Sequence, residues 1–386
     1  MIDLMNYFDP LSIEEPPFPY FAEKARFSNN IAVHTENSPI KNLDKYKIAL
    51  FGVPEGRNCP IPGTIKAPNC IRKQLYQLAK IPGKLKIIDL GDMRRGVSFE
   101  DTVAGLADIL VYLSGKEIFP LILGGSSALA LAIDKAMRML KKRYTLATVD
   151  SRIDYAGSKD TPGSLSFLKD IIDGKNCMLG HFINIGYQTQ LNDQQVVNRL
   201  KERHAELVRI GEARKSIHLT EPLIRDSDAI IFDMSSVRQS DAPGTISPSP
   251  NGFYGEEICL LARYAGISDN LSLFALFDVD PDVDFREQTT GLAAQVVWFF
   301  LEGFAQKQYE AQFLDVDNGR FTRYHVTLPD VGEDMVFVKS NFTDRWWIEL
   351  INTSGESTFI ACSQEDYMKA NHGEVPERWL LGTRRG

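Results

Sequence analysis

Residues 119–150 read FPLILGGSSALALAIDKAMRMLKKRYTLATVD. Both ends of this stretch, FPLILGG (119–125) and YTLATVD (144–150), are near-continuously apolar and bounded by Gly, Pro or Asp. That texture suits strands covered on both faces, as in a parallel sheet. Between them, SALALAIDKAMRMLKK (127–142) repeats its apolar residues at three- and four-residue intervals, the spacing of one face of a helix.

The same alternation extends in both directions. KIALFGV (47–53) and LKIIDLG (85–91) read as strands on the amino-terminal side. GHFINIGY (180–187), ELVRIG (206–211), DAIIFDMSSV (228–237) and LSLFALFDV (271–279) do so on the other side. Helical spacing falls at 71–80, 99–115, 193–207, 255–266 and 289–306. Repeated strand–helix alternation predicts an α/β fold around a central, mostly parallel sheet of about eight strands. Ligands of such sheets bind beyond the carboxyl ends of the strands, where Gly124-Gly125, Asp150, Asp233 and Asp278 stand.

The flanks differ. Residues 1–45 are Pro-rich and read as irregular, with FAEKARF (21–27) as a short helix. From 307 to 386, FTRYHVTLP, DMVFVKS, DRWWIELI and STFIACS read as strands of a small antiparallel element, followed by a helix-like SQEDYMKANHG. Trp346, Trp347 and Trp379 are the expected core of this extension. The predicted organisation is thus an irregular lead-in (1–45), an α/β domain (46–306) and a β-rich extension (307–386).

With 44% hydrophobic and 24% charged residues the composition is that of a globular chain. A net charge of -8 disfavours nucleic acid and anionic lipid as partners. The five cysteines are dispersed with no C-x-x-C spacing, so neither a zinc site nor a disulfide framework is indicated. The start lacks a basic segment before an apolar run, and no apolar stretch is long enough to span a bilayer. A cytoplasmic location without membrane insertion is the expectation.

Several segments fall in an order that resembles the ureohydrolase superfamily of arginase, agmatinase and formiminoglutamase, the formiminoglutamase branch above all. FGVPEGRNCPIPGTIKAPNCIR (51–72) is similar to that family's opening, with Gly52, Pro54, Gly63, Pro68, Ile71 and Arg72 at the matching places. IIDLGDM (87–93) follows. PLILGGSSALALAI (120–133) stands where the family has Gly-Gly-Asp-His-Ser, and TVDSRIDYAG (148–157) where it has Asp-Ala-His-x-Asp. FDMSSVRQSDAPGTISPSPNGFYGEE (232–257) and LFDVDPDVDFREQTTGLAAQVVWFF (276–300) complete the series. The resemblance implies a three-layer arginase-like fold over roughly residues 45–305.

It also implies chemistry. Relatives hold two Mn²⁺ ions and a bridging hydroxide on two His and four Asp, a hard ligand set that generates a nucleophile against an amidine or guanidine carbon. Here the ligand positions are Ser127, Asp150, Arg152, Asp154, Asp233 and Ser235. Three aspartates remain and both histidines are replaced. The shuttle histidine expected soon after Asp154 has no counterpart, and His181 reads as an ordinary hydrogen-bonded residue. Asp278 occupies the place of the family's guanidinium-binding Glu; Ser164 and Ser166 lie in the substrate-contacting loop, or else serve as turn and cap residues. Asp282 and Asp284 read as solvated loop acids.

An arginine at 152 cannot ligate a metal. At roughly 4 Å and an effective dielectric near 20, it would repel a divalent ion by about 8 kcal/mol. The leading expectation is therefore that Arg152 neutralises the aspartates in place of metal. No cofactor is then present, and the chain is a binding or scaffold protein assembling with its own copies or a protein partner. The alternative is a metal-dependent hydrolase of linear amidine C–N bonds with a rebuilt, mononuclear site on Asp150, Asp154 and Asp233, using Mn²⁺.

Overall fold

The computed structural model describes residues 4–12, 20–155, 163–316, 319–328, 333–351 and 355–383. Positions 156 and 157 of the motif at 148–157, and position 329, lie outside them. The strands of the main sheet are β1 (Phe8–Asp9), β2 (Ile31–Val33), β3 (Ile48–Gly52), β4 (Ile87–Met93), β5 (Phe119–Leu123), β6 (Tyr144–Val149), β7 (Leu179–Tyr187), β8 (Glu206–Arg209), β9 (Ala229–Asp233) and β10 (Leu273–Phe277). Its helices are α1 (Ala67–Leu75), α2 (Phe99–Ser114), α3 (Ala130–Leu140), α4 (Phe167–Ile172), α5 (Gln194–Glu202), α6 (Ile210–Lys215), α7 (Glu221–Arg225), α8 (Gly255–Ile267) and α9 (Gln288–Ala305).

These strands form a 10-stranded sheet in the order β1-β4-β3-β5-β10-β9-β6-β7-β8, with β2 also pairing β4. Every pairing is parallel except β1 with β4. The segment read as irregular at 1–45 thus supplies two strands, β1 and β2. Both are too short to show a period, and their signal comes from the partner strand β4. FAEKARF forms 3-10 turns, Glu23–Ala25 and Phe27–Asn29, rather than one helix.

Burial of β3, β5, β9 and β10 is complete, because helices cover both faces. The two-residue period of a strand divides their side chains between two apolar layers. Ala49, Phe51, Ile122, Ile231 and Ala275 pack beneath α2 and α3. Ile48, Leu50, Leu121, Ile230 and Phe274 pack beneath α1, α8 and α9. The three-layer α/β architecture follows. Two strands end earlier than their apolar runs suggest. β8 stops at Arg209 because Ile210 opens α6, and β9 stops at Asp233, a point that matters for the site.

Beyond α9 lies a second, 4-stranded antiparallel sheet of β11 (Phe321–Leu328), β12 (Glu333–Ser340), β13 (Trp346–Ile351) and β14 (Ser357–Cys362), backed by α10 (Gln364–Asn371) and α11 (Glu377–Thr383). Trp346 and Trp347 are buried on opposite faces of β13, and Trp379 packs against the Trp346 side. Charge fastens this sheet to the main one. Arg378 of α11 donates to both oxygens of Glu206 on β8 (2.7 and 2.8 Å) and pairs with Asp226 after α7. Arg225 stacks over Trp347 at 4.4 Å and donates to the Trp346 carbonyl. Removing one partner of a buried ion pair strands the other charges. Arg378→Ala is therefore expected to cost about 3–5 kcal/mol, read by denaturant unfolding. Unchanged stability would show the two sheets to be independent. No helix of the described residues is long and apolar enough to cross a membrane.

Candidate functional site

β10, β9 and β6 are neighbours in the sheet, and each delivers an aspartate at its carboxyl end. β9 ends with Asp233 itself. Its Oδ1 accepts the backbone N–H of Ser235 at 2.6 Å, which turns the chain into the 3-10 turn Met234–Ser236. Ser235 therefore does not share a strand face with Asp233, as a continued strand would require. The cap bond ends the strand first. Asp150 follows β6, and its Oδ1 accepts the N–H of Arg152 at 2.9 Å.

The loop from Asp150 to Asp154 is shaped by two asparagines that the sequence did not single out. Asn192 accepts from Ile153 N (2.6 Å) and donates to the carbonyls of Ser151 (3.0 Å) and Gln188 (2.8 Å). Asn184 on β7 donates to the Arg152 carbonyl at 3.2 Å. Asp278 follows β10 with φ +65°, and its Oδ1 accepts from Ser127 N at 3.1 Å. That contact depends on the tight passage through Gly124 and Gly125, both at positive φ. A Cβ at Gly124 would sit 2.5 Å from the Pro68 ring, and one at Gly125 would sit 2.6 Å from the Val53 carbonyl. No other residue type fits.

The result is a knot of acid. Oxygens of Asp150, Asp154 and Asp233 lie within 4.8 Å of one another, and all three residues are at most 6% exposed. Burial raises the pKa of each of these carboxyls. The Asp233 charge pushes Asp150 and Asp278 further up, and the Asp150 charge does the same to Asp154. Among the described residues, Asp154 Oδ2, Asp278 Oδ2, Ser235 Oγ and Ser164 Oγ are buried without a hydrogen-bond partner. Ser127 Oγ is engaged, donating to the Ser164 carbonyl at 3.2 Å.

Arg152 is the counter-charge that the sequence leads one to expect among these aspartates. Its guanidinium forms no ion pair among the described residues. Its charge nonetheless acts on Asp150 and Asp233, pulling both carboxyls down against the effect of burial. The backbone of Arg152 is tied to Asp150 on one side and Asn184 on the other, and the residue lines the adjoining cavity. That cavity, about 370 Å³, is also lined by Asp154, Tyr155, Lys169, Asn192 and Arg199.

The remaining candidates separate cleanly. Ser164 is buried in the turn Gly163–Leu165, and Ser166 stands at the start of α4. His181 bonds Glu206 at 2.8 Å, far from any catalytic loop. Asp282 is an exposed partner of Lys66, and Asp284 caps α9 through the N–H groups of Thr289 and Thr290. Two residues went unread in the sequence. Asp280 is fully buried with Oδ2 unpartnered. Cys59 lies close enough to feel Asp278 and Asp233, its thiol pushed up to about 12 by burial and then by those charges. The run DVDPDVD (278–284) alternates acids too regularly to show which ones turn inward.

Hard oxygen donors alone, converging on one point with unpartnered lone pairs, suit a single cation of the Mg²⁺, Mn²⁺ or Ca²⁺ kind. The residues present fit one such ion. Ser127, Arg152 and Ser235, which the resemblance places among the ligand positions, offer neither imidazole nor carboxylate.

A match to the arginase family spans residues 46–302, and the chain belongs to that family. Its relatives include formimidoylglutamase of Bacillus subtilis strain 168, 26% identical over 282 residues, a match covering 66% of this chain and 86% of that one. The crystal structure of formimidoylglutamase from Bacillus subtilis aligns with a TM-score of 0.66 at 22% identity, over 77% of this chain and 97% of the other. That of Trypanosoma cruzi formiminoglutamase with Mn²⁺ aligns with a TM-score of 0.64 at 19% identity, over 69% and 96%. At these identities the structures establish the shared fold. The sheet β11–β14 lies beyond the residues of the family match.

Proposed function

We propose that the chain is a metal-dependent hydrolase of linear C–N bonds, acting on a formimino or guanidino group of an anionic compound, with one divalent ion on Asp150, Asp154 and Asp233. The observation that carries this reading is the convergence of those buried carboxylates, with no ion pair to a basic side chain among the described residues. Buried charges persist when paired or metal-bound, and a divalent cation that displaces the protons held by these raised carboxyls would supply the counter-charge.

When bound, Mn²⁺ or a similar ion supplies Lewis acidity and an activated water. The chain's own residues supply the rest. Asp278 presents an unpartnered, fully buried Oδ2 that can accept from an amidinium N–H, a charge-assisted bond of the strong kind. Arg152, Lys169 and Arg199 line the adjoining cavity and place positive charge where a substrate carboxylate would lie. Burial around the aspartates keeps bulk water from screening these interactions.

The test is direct. Protein purified with manganese is analysed for bound metal and incubated with N-formimidoyl-L-glutamate, arginine and agmatine. About one ion per chain together with formamide or urea release supports the proposal. No metal and no product supports the scaffold alternative, and two ions per chain overturns the mononuclear site. Asn192→Ala, which frees the Asp150–Asp154 loop without removing a carboxylate, is expected to weaken metal affinity by about 10–100-fold, measured by competition with a chelating dye.

A further inference from the structure

A second cavity, about 330 Å³, opens where β3, β5 and β10 begin, bordered by Lys47, Phe119 and Leu273. It lies at the amino ends of the strands, across the sheet from the aspartates at their carboxyl ends. Ile133, Met137 and Leu140 of α3 form one wall, with Leu110 of α2, and Leu271 and Phe304 face them. A volume near the lower end of the roughly 300–1,000 Å³ of small-molecule sites, with mostly apolar walls, suits a short hydrocarbon chain.

The rim carries a charge. Lys307 Nζ sits 4.2 Å from the centre of the Phe304 ring and 5.5 Å from that of Phe119, and it forms no ion pair among the described residues. Burial lowers its amine to about 8. Asp269, also on the rim, is spoken for: its two oxygens accept the backbone N–H groups of Tyr309 and Ala311, both at 3.1 Å. Those bonds hold the segment carrying Lys307 and Tyr309 over the opening. This segment follows α9 and lies just past residue 302, where the family match ends.

We propose that this cavity binds a small amphiphile, an aliphatic or aromatic tail in the apolar chamber and a single carboxylate on Lys307. Lys307 feels the Asp269 charge, but the Asp269 oxygens are engaged by backbone N–H groups, so a cation resting on aromatic faces is left short of one strong hydrogen-bond acceptor. Asp269 and the exposed Glu117 at the rim oppose a second negative charge and restrict the ligand to a monoanion. The inference does not rest on the hydrolase reading and can fail without touching it.

Octanoate and octan-1-ol are the probes, titrated into the full chain by calorimetry. Saturable binding of one octanoate per chain is expected, about tenfold weaker in Lys307→Met from loss of the charge-assisted bond. Octanol affinity should be unchanged by that substitution. Ala136→Phe, which fills the chamber from α3, should weaken both probes, and Lys307→Arg should retain octanoate. Equal unfolding midpoints of the variants keep the comparison one of binding. No saturable octanoate binding to the unaltered chain, or equal octanoate affinity in Lys307→Met, overturns the proposal.

Discussion

Asp233→Ala is expected to abolish both the bound manganese and amidine hydrolysis, with kcat/KM falling by about three orders of magnitude or more. A metal's stabilisation of developing charge is worth several kcal/mol, and about 4 kcal/mol corresponds to that factor. Asp233 is chosen because it ends β9 in the middle of the acid group and feels both Asp150 and Asp278. The substitution also removes the cap bond to Ser235 N, so a structural loss must be separated from a chemical one. Asp233→Asn keeps an oxygen acceptor for that cap while removing the charge. The expected outcome is that Asp233→Asn folds as the parent does yet binds no metal and turns over no substrate. Full activity in Asp233→Asn would mean that catalysis, if present, lies elsewhere.

Metal dependence should also appear as stability. Three carboxylates within 4.8 Å, buried together, oppose the fold while ionised, a cost that protonation or a bound cation relieves. Addition of Mn²⁺ to chelator-treated protein is expected to stabilise the native state by about 2.7 kcal/mol at a concentration one hundred times the dissociation constant. The unfolding midpoint then rises with metal concentration. Asp150→Asn combined with Asp233→Asn should show no such rise. This readout is independent of any substrate. A midpoint indifferent to Mn²⁺, Mg²⁺ and Ca²⁺ in the unaltered chain would remove the physical basis of the proposed function, and would return the chain to the scaffold reading suggested by Ser127, Arg152 and Ser235.

The arginine shows why a ligand inventory is not yet a site. From the sequence, a guanidinium two residues after Asp150 has every reason to settle among the acids. Its backbone is held by Asp150 and Asn184, and its charge acts on Asp150 and Asp233 without closing an ion pair among the described residues. Ser235 shows the same thing from the other direction, since two residues along a strand means one face only while the strand continues.

What the sequence determined by itself is the strand–helix alternation and the placement of Asp150, Asp233 and Asp278 at carboxyl ends. Apolar periodicity and glycine turns are local, so a linear chain displays them. Tertiary structure alone decided that β1 and β2 join the sheet, that Asn184 and Asn192 shape the aspartate loop, that Asp280 is buried while Asp282 is not, and that Lys307 lies over an apolar chamber. Each of these depends on partners distant in the chain. Which carboxylate is stripped of water, and which cation finds an acceptor, is fixed only when those partners meet.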